Sequence, residues 1–145
     1  MNRQYPEWVS VYKDCVFNKD GYSIKEGFHC WSLVRDAVNR GWGFKLPTYK
    51  EHFENAEDHR HIDAAMTYAI TDWTKAESEW VKVDDAQLCD ILFFKLSGWL
   101  WHCGLRLDRE FMLNVLQGED VGLGRYNDPI WKPRLSGAYR HRSLC

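Results

Sequence analysis

The sequence predicts an α+β fold. Helical spacing is confined to the first half, β-branched and aromatic segments fill the second, and turn residues cut those segments into short strands. Trp8 to Tyr12 is a short apolar stretch with helical spacing. Phe17-Asn-Lys-Asp-Gly-Tyr-Ser then reads as a loop, because Asn, Asp, Gly and Ser compete with regular structure. A helix follows, with Trp31, Leu33, Val34, Ala37 and Val38 on one side and Arg35, Asp36, Asn39 and Arg40 on the other. Gly41 and Gly43 should stop it in the left-handed conformation. Leu46-Pro-Thr leads into a mostly polar stretch, Tyr49 to Trp73, expected to form one or two helices on the outside, with Ala64, Ala65, Met66, Tyr68 and Ala69 as its apolar part. From Trp80 the character changes. Val81-Lys-Val, Ile91-Leu-Phe-Phe-Lys-Leu, Leu100 to Leu107 and Phe111 to Leu116 are expected strands of an antiparallel sheet. The tail alternates weakly around Tyr126, Ile130, Trp131, Leu135 and Tyr139.

A chain of 145 residues without repeat, low-complexity tract or linker suits one domain over 1–145. Hydrophobic residues at 45% and charged residues at 28% describe a globular chain. A net charge of −2 and a pI near 6.3 supply no basic field for nucleic acid. No apolar run approaches the length of a membrane span, and the first residues lack the apolar core of a secretory signal. The expectation is a protein made soluble in the cytoplasm, or carried out by something other than a signal peptide. The odd count of five cysteines (Cys15, Cys30, Cys89, Cys103 and Cys145) argues against a disulfide framework, and without a C-x-x-C pair there is no template for structural zinc. Most should be small buried hydrophobes. Eight tryptophans suit a compact core or a site that grips sugars or peptides, and the count does not separate the two.

Chemistry concentrates at three places. In Gly27-Phe-His-Cys-Trp-Ser-Leu-Val-Arg, Cys30 lies just before the helical pattern, so its sulfur should sit at a helix N-terminus. Unpaired N–H groups and the macrodipole favour a thiolate there, and the same groups can cradle an oxyanion. In Trp101-His-Cys-Gly-Leu-Arg-Leu, strand alternation sets His102, Gly104 and Arg106 on one face. The bulkier Trp101, Cys103, Leu105 and Leu107 would form the core face. His102 should then point outward, with Gly104 leaving space beside it for a substrate or another backbone. Neutral imidazole is the natural base for a thiol. Asp108-Arg-Glu is a polar break implying a hairpin. A tip centred on Asp108 sets residues 102 and 114 opposite each other at roughly 5 Å between Cα atoms. Asn114 could then accept the imidazole N–H and fix its tautomer.

These segments together resemble the NlpC-type cell-wall peptidases, especially the version carried in the tails of tailed bacteriophages. The segment around Cys30 is similar to an Asp-Cys-Trp-Gly-Leu-Val-Arg box, with Leu46-Pro following at about the expected distance. Cys89-Asp-Ile-Leu-Phe-Phe resembles a Gly-Asp-Val-hydrophobic strand, and Trp101-His-Cys-Gly-Leu-Arg-Leu resembles His-Val-Gly-Ile-Tyr-Leu. Asn114 stands where that family places its third polar residue, and Ser136-Gly-Ala-Tyr-Arg looks like the end of the phage type. The match spans most of the chain apart from the polar insert around residues 50 to 75. Departures are His29 for aspartate, Ser32 for glycine and Cys89 for glycine. An upstream tyrosine often assists such a site, and Phe17 and Tyr22 are the nearest candidates.

The resemblance implies a papain-like NlpC fold, with the nucleophile at a helix N-terminus packed on a C-terminal antiparallel sheet. It implies a Cys30–His102–Asn114 triad and no cofactor. The implied substrate is the peptide stem of peptidoglycan, typically the bond between D-glutamate and a diamino acid, and the implied setting is a virion tail with other tail proteins as partners. The alternatives are a structural tail-tip subunit with an inactive fold, or acyl transfer or deamidation by the same thiol. Asp58-His-Arg-His-Ile-Asp with His52 invites a metal, as do Cys89, Asp90, His102 and Cys103, but a solvated helix face and strand alternation argue against each, so no metal is expected. Gly118 to Arg125 is expected as a loop beside the cleft, and Arg134, Arg140, His141 and Arg142 as a solvated basic end.

Overall fold

The computed structural model describes residues 6–51, 55, 57–75, 78–84, 87 and 89–144. A 3-10 helix, Glu7–Tyr12, opens the described chain, and β1 (Tyr22–Ser23), at the end of the expected loop, pairs with β2 (Gly27–Phe28) beyond it in a small hairpin. Helix α1 runs Cys30–Trp42 and buries Trp31, Leu33, Val34, Ala37 and Val38. Gly43 alone ends it, at φ 76° with its N–H donating to the Asn39 carbonyl. Gly41, expected as a second stop, lies inside the helix. A Cβ there would sit 2.9 Å from the Trp8 ring, so the missing side chain is what lets Trp8 approach. Helix α2 is His59–Trp73, capped by the Asp58 side chain, which accepts from the Arg60 N–H. It is less peripheral than the sequence suggests, because Ile62, Ala65, Met66, Ala69 and Trp73 are all buried.

The sheet has six antiparallel strands in the order β3-β8-β4-β5-β6-β7. They are β3 (Trp80–Val83), β4 (Ile91–Leu96), β5 (Trp99–Arg106), β6 (Phe111–Asn114), β7 (Gly122–Arg125) and β8 (Leu135–His141). β7 falls where a loop is expected, and it is a mostly exposed strand with two glycines. Ser97 and Gly98, both at positive φ, make the tight β4–β5 turn.

Strand β4 is central, and the run Ile91 to Phe94 is buried on both faces, which is why it reads as continuously apolar. Ile91 and Phe93 join the main core with Trp31, Leu33, Met66, Cys103 and Leu105. Leu92 and Phe94 join a second cluster on the opposite face with Met112, Tyr126 and Trp131. The helices therefore cover one face of the sheet, and the segment before β8 covers part of the other. Among the described residues no helix is long and apolar enough to cross a membrane.

Asp90, fully buried at the start of β4, ties the sheet together. Arg140 on β8 donates to it from Nε at 2.8 Å and from a terminal nitrogen at 2.9 Å, and the Gln87 N–H donates at 2.6 Å. Arg140 is only 11% exposed, so this part of the expected solvated basic end is internal. Cys89, just before it, has φ +76°, where a side chain is strained. That conformation accounts for the glycine of the resembled motif.

Asp90→Ala would leave the Arg140 guanidinium buried without its carboxylate. It should cost about 3–5 kcal/mol of folding stability, read as a lower urea midpoint at unchanged slope.

Candidate active site

Cys30 is the first residue of α1, with its sulfur buried at the opening of a cleft. The turn before it is fixed by a reciprocal cap. The His29 side chain accepts from the Ser32 N–H at 3.4 Å through Nδ1, and Ser32 Oγ accepts from the His29 N–H at 3.0 Å. Ser32 Oγ also donates to the Gly21 carbonyl at 2.7 Å, anchoring the turn to the β1 hairpin. Gly21 is required there, since a Cβ would fall 2.2 Å from the Gly27 carbonyl oxygen. Ser32, a departure from the resembled box, is thus the residue that completes the cap. The Leu46-Pro segment is held to the same helix by Arg35 Nε donating to the Leu46 carbonyl and Trp31 Nε1 donating to the Pro47 carbonyl. The Ser32 N–H is taken by this cap and the Leu33 N–H by the His29 carbonyl, which leaves those of Cys30 and Trp31 without a helical acceptor at the Cys30 end.

His102 comes from β5 across a bulge. Phe94 pairs with His102 and Lys95 pairs with Leu100, so Trp101 is the extra residue. Bulges re-aim side chains, and this one sends both Trp101 and His102 toward the second cluster. His102 does not point outward into solvent as expected but is 2% exposed. Its ring stacks on Trp131, with centroids 4.9 Å apart at 28°, and Trp131 stacks in turn on Trp101 at 5.5 Å. Trp131 thus shields the imidazole from water, a role its sequence context does not signal.

Asn114 lies beside His102, though by a different register from the expected one. Leu105 pairs with Leu113 and Arg106 with Met112, which continues to Asn114 across from Gly104 and diagonal to His102. A shift of two residues keeps the facing, so the Asn114 amide still sits 3.1 Å from His102 Nε2. As drawn, Asn114 Nδ2 donates to an unprotonated Nε2. The isosteric carboxamide flip makes Oδ1 accept from Nε2–H, leaving Nδ1 to take a proton from sulfur. A protonated His102 admits only the second arrangement.

The two glycines of this layer serve packing. A Cβ on Gly104 would lie 2.6 Å from Met112 Sδ and 3.2 Å from the Leu113 carbonyl oxygen, so the space expected for a substrate or another backbone is taken by β6. A Cβ on Gly124 would lie 3.0 Å from Asn114 Nδ2 and 3.2 Å from its Oδ1, so Gly124 clears room for the amide.

The Cys30 thiol is held well below the ordinary thiol range. Hydrogen bonding from Cys103 is the largest cause; burial opposes it, and hydrogen bonds with His102 and His29 reinforce it. Cys103 is pushed the other way by burial and by its bond to Cys30. Cys89, fully buried, is pushed up to about 12 by burial and the Asp90 charge. Phe17 lines the cleft, while Tyr22 packs edge-on to His29 at 5.0 Å and has its hydroxyl titration raised by burial.

No metal-binding group of three or more His, Cys, Asp or Glu side chains occurs among the described residues, and His52 lies outside them. Of that candidate motif, Asp58 caps α2, Asp63 accepts from the Leu100 N–H at 2.7 Å, and His59 lines the cleft edge-on to Trp101. The cleft holds about 340 Å³ between Cys30, His102, Phe17, Ile62 and Trp101. Glu57, Gln117 and Glu119 line both it and a neighbouring groove that runs on past Asn18 and Asp120.

Helices in front of an antiparallel sheet, with a cysteine opening the first long helix, define a papain-like α+β fold. The chain belongs to the NlpC/P60 family, whose model matches residues 17–140. Solved structures share the fold. A Staphylococcus aureus protein described as similar to a lipoprotein of the NLP/P60 family has a TM-score of 0.61 at 16% identity, covering 92% of this chain and 38% of its own. A Bacillus cereus NlpC/P60 family protein gives 0.60 at 17% identity, covering 95% and 41%. The NlpC/p60 domain of the peptidoglycan hydrolase SagA gives 0.56 at 16% identity, covering 92% and 94%. The chain thus spans about two fifths of the first two proteins and nearly all of the third domain. No curated protein sequence matches it significantly.

Iodoacetamide should label Cys30 well below pH 8 and about tenfold or more faster than Cys15 or Cys89, read by peptide mass spectrometry, because of these three Cys30 alone combines a lowered pKa with an opening to the cleft. His102→Ala should slow that labelling by about tenfold at neutral pH and steepen its rise with pH. Gly124→Ala should displace the Asn114 amide by a few tenths of an ångström and slow labelling several-fold, with little change in melting temperature.

Proposed function

We propose that the chain is a cysteine hydrolase, an endopeptidase or amidase, that cleaves the peptide stems of bacterial peptidoglycan. The observation that carries this reading is the convergence of Cys30, His102 and Asn114 at the first turn of α1, beside a cleft that continues into a groove. Membership of the NlpC/P60 family and a shared fold with a domain described as part of a peptidoglycan hydrolase support the substrate class.

In this reaction His102 Nδ1 withdraws the Cys30 proton, or holds it already as imidazolium, while Asn114 Oδ1 accepts from Nε2–H and keeps the ring in place. The sulfur attacks the scissile carbonyl. Its oxygen becomes an oxyanion stabilised by the first-turn N–H groups of α1. The tetrahedral intermediate collapses as His102 gives its proton to the leaving amine. Water, deprotonated by the same imidazole, then hydrolyses the thioester. Trp131 over His102 keeps bulk water from competing for these hydrogen bonds.

The finer reading is that 1–145 acts as one catalytic domain on the bond between D-glutamate and a diamino acid. Its setting would be a bacteriophage tail tip among other tail proteins. The box around Cys30 and the closing Ser136-Gly-Ala-Tyr-Arg support the phage type.

Incubation with purified muropeptides should release shorter stems with a new amino terminus, detected by mass spectrometry. Cys30→Ala should lose about 10³-fold or more of the rate. A reactive Cys30 that turns over no wall peptide would remove the substrate assignment. An unreactive Cys30 would favour a structural tail subunit. Presence of the chain in purified virions checks the setting separately.

A further inference from the structure

The lining of the cleft divides by polarity. Glu57, Gln117 and Glu119 also line the neighbouring groove, so the polar part lies where the two spaces join, and Gln117 Nε2 donates to Glu57 Oε2 at 2.5 Å across that join. Beside Cys30 and His102, the residues that line the cleft alone are aromatic or apolar: His59, Ile62, Trp101, Val115 and Leu116. The reacting pair therefore has a polar approach from the groove and an apolar end beyond it. Trp101 is the extra residue of the β5 bulge, which sets it on the same side of the sheet as His102. Trp131 stacks on it at 5.5 Å and 18°, and His59, the first residue of α2, meets it edge-on at 6.1 Å and 70°. One turn further along α2, Asp63 accepts from the Leu100 N–H at 2.7 Å, which fixes this end of the helix against β5 one residue before Trp101.

We propose that Trp101, with His59 and Ile62, forms an apolar subsite that takes the apolar side chain of the residue flanking the scissile bond, and that Trp101 determines specificity there. The proposal rests on the reading of Cys30 and His102 as a peptide-hydrolysing pair. A side chain held on Trp101 lies beside both of them, so it belongs to a residue whose carbonyl or amine is at the sulfur.

The indole is built for this use. Trp101 is half-buried, held by rings on two elements, and still open to the cleft, so little side-chain freedom is lost when a ligand packs on it. Trp131 behind it is only 8% exposed and supports rather than touches a ligand. The wall is also particular to this chain: the resembled motif begins at His102, one residue after Trp101, and α2 lies within the insert that the resemblance does not cover. A sugar suits this end less well, because its hydroxyls need donors and acceptors around the ring. Among the described residues that line the cleft alone, His59 is the one polar side chain outside the reacting pair.

The test compares Cys30 alkylation by N-benzyliodoacetamide and by iodoacetamide on the full chain, each rate divided by that of the same reagent with free N-acetylcysteine. The corrected ratio should favour the benzyl reagent by about tenfold in the native chain. It should fall to about one in Trp101→Ala and part of the way in His59→Ala, whatever happens to the iodoacetamide rate itself; His59→Ala carries the comparison if Trp101→Ala fails to fold. In a second arm N-benzylacetamide, which cannot react, should shift the Trp101 indole N–H resonance of the native chain. A ratio of one in the native chain, with Cys30 reactive toward iodoacetamide, would overturn the subsite and leave the hydrolase reading standing. A Cys30 unreactive toward both reagents strikes the hydrolase reading, and the resonance arm then decides the subsite alone. A resonance shift with N-acetylglucosamine but none with N-benzylacetamide would overturn the proposal and give the wall to a sugar.

Discussion

The arrangement at the cleft rests on how the first turn of α1 seats against β5. A helix start carries N–H groups without helical acceptors, and a strand beneath it can offer side chains from only one face at a time. Two devices reconcile these limits. The His29–Ser32 cap, tied to Gly21, fixes where the turn begins and so where the Cys30 sulfur lies. The bulge at Trp101 turns Trp101 to the same side as His102, against Trp131, while His102 and Cys103 alternate regularly opposite Phe94 and Phe93.

Holding a thiolate in such a place is an electrostatic problem. Burial removes water from the sulfur and favours the neutral thiol, so the anion persists only where fixed donors replace that water. Here the donors are the Cys103, His102 and His29 side chains, with the helix N-terminus adding its partial positive charge. Each donor is itself held: His29 by the cap, His102 by Asn114 and Trp131, and Cys103 by the core. The Asp90–Arg140 pair shows the same logic at the far end of β4, where a buried carboxylate is tolerated because guanidinium and backbone donors meet it.

Much of this was legible in the chain before its coordinates. The stripe from Trp31 to Val38 specified α1, and the apolar run at Ile91 to Phe94 specified a strand, because hydrophobic period is a local property. The proximity of His102 and Asn114 followed from one polar break at Asp108, even though the hairpin is two residues out of the expected register, since pleat parity survives an even shift. What stayed hidden depends on partners distant in sequence. Alternation alone placed His102 on an outer face, and neither the bulge nor Trp131, which covers that face from 29 residues further on, leaves a local mark. Arg140 read as part of a basic tail because its partner, Asp90, is 50 residues away. Gly104 read as room for a substrate or another backbone, and it is β6, through Met112 and the Leu113 carbonyl, that takes it.

The departures from the resembled box gain a common physical meaning once placed in space. A carboxylate immediately before Cys30 would add a negative charge near the sulfur and favour the protonated thiol. His29 instead places an imidazole there that caps the helix through Nδ1. Ser32 supplies the hydroxyl that a glycine lacks, and without it the cap would be one-sided. Cys103, in place of a branched aliphatic residue, adds hydrogen bonding that lowers the Cys30 thiol further. Cys89 belongs to a different problem, since it sits at positive φ away from the sulfur and bears backbone strain a glycine would not. The changes at His29, Ser32 and Cys103 therefore act on the Cys30 sulfur or on the turn that holds it, whereas the one at Cys89 acts on the backbone before β4.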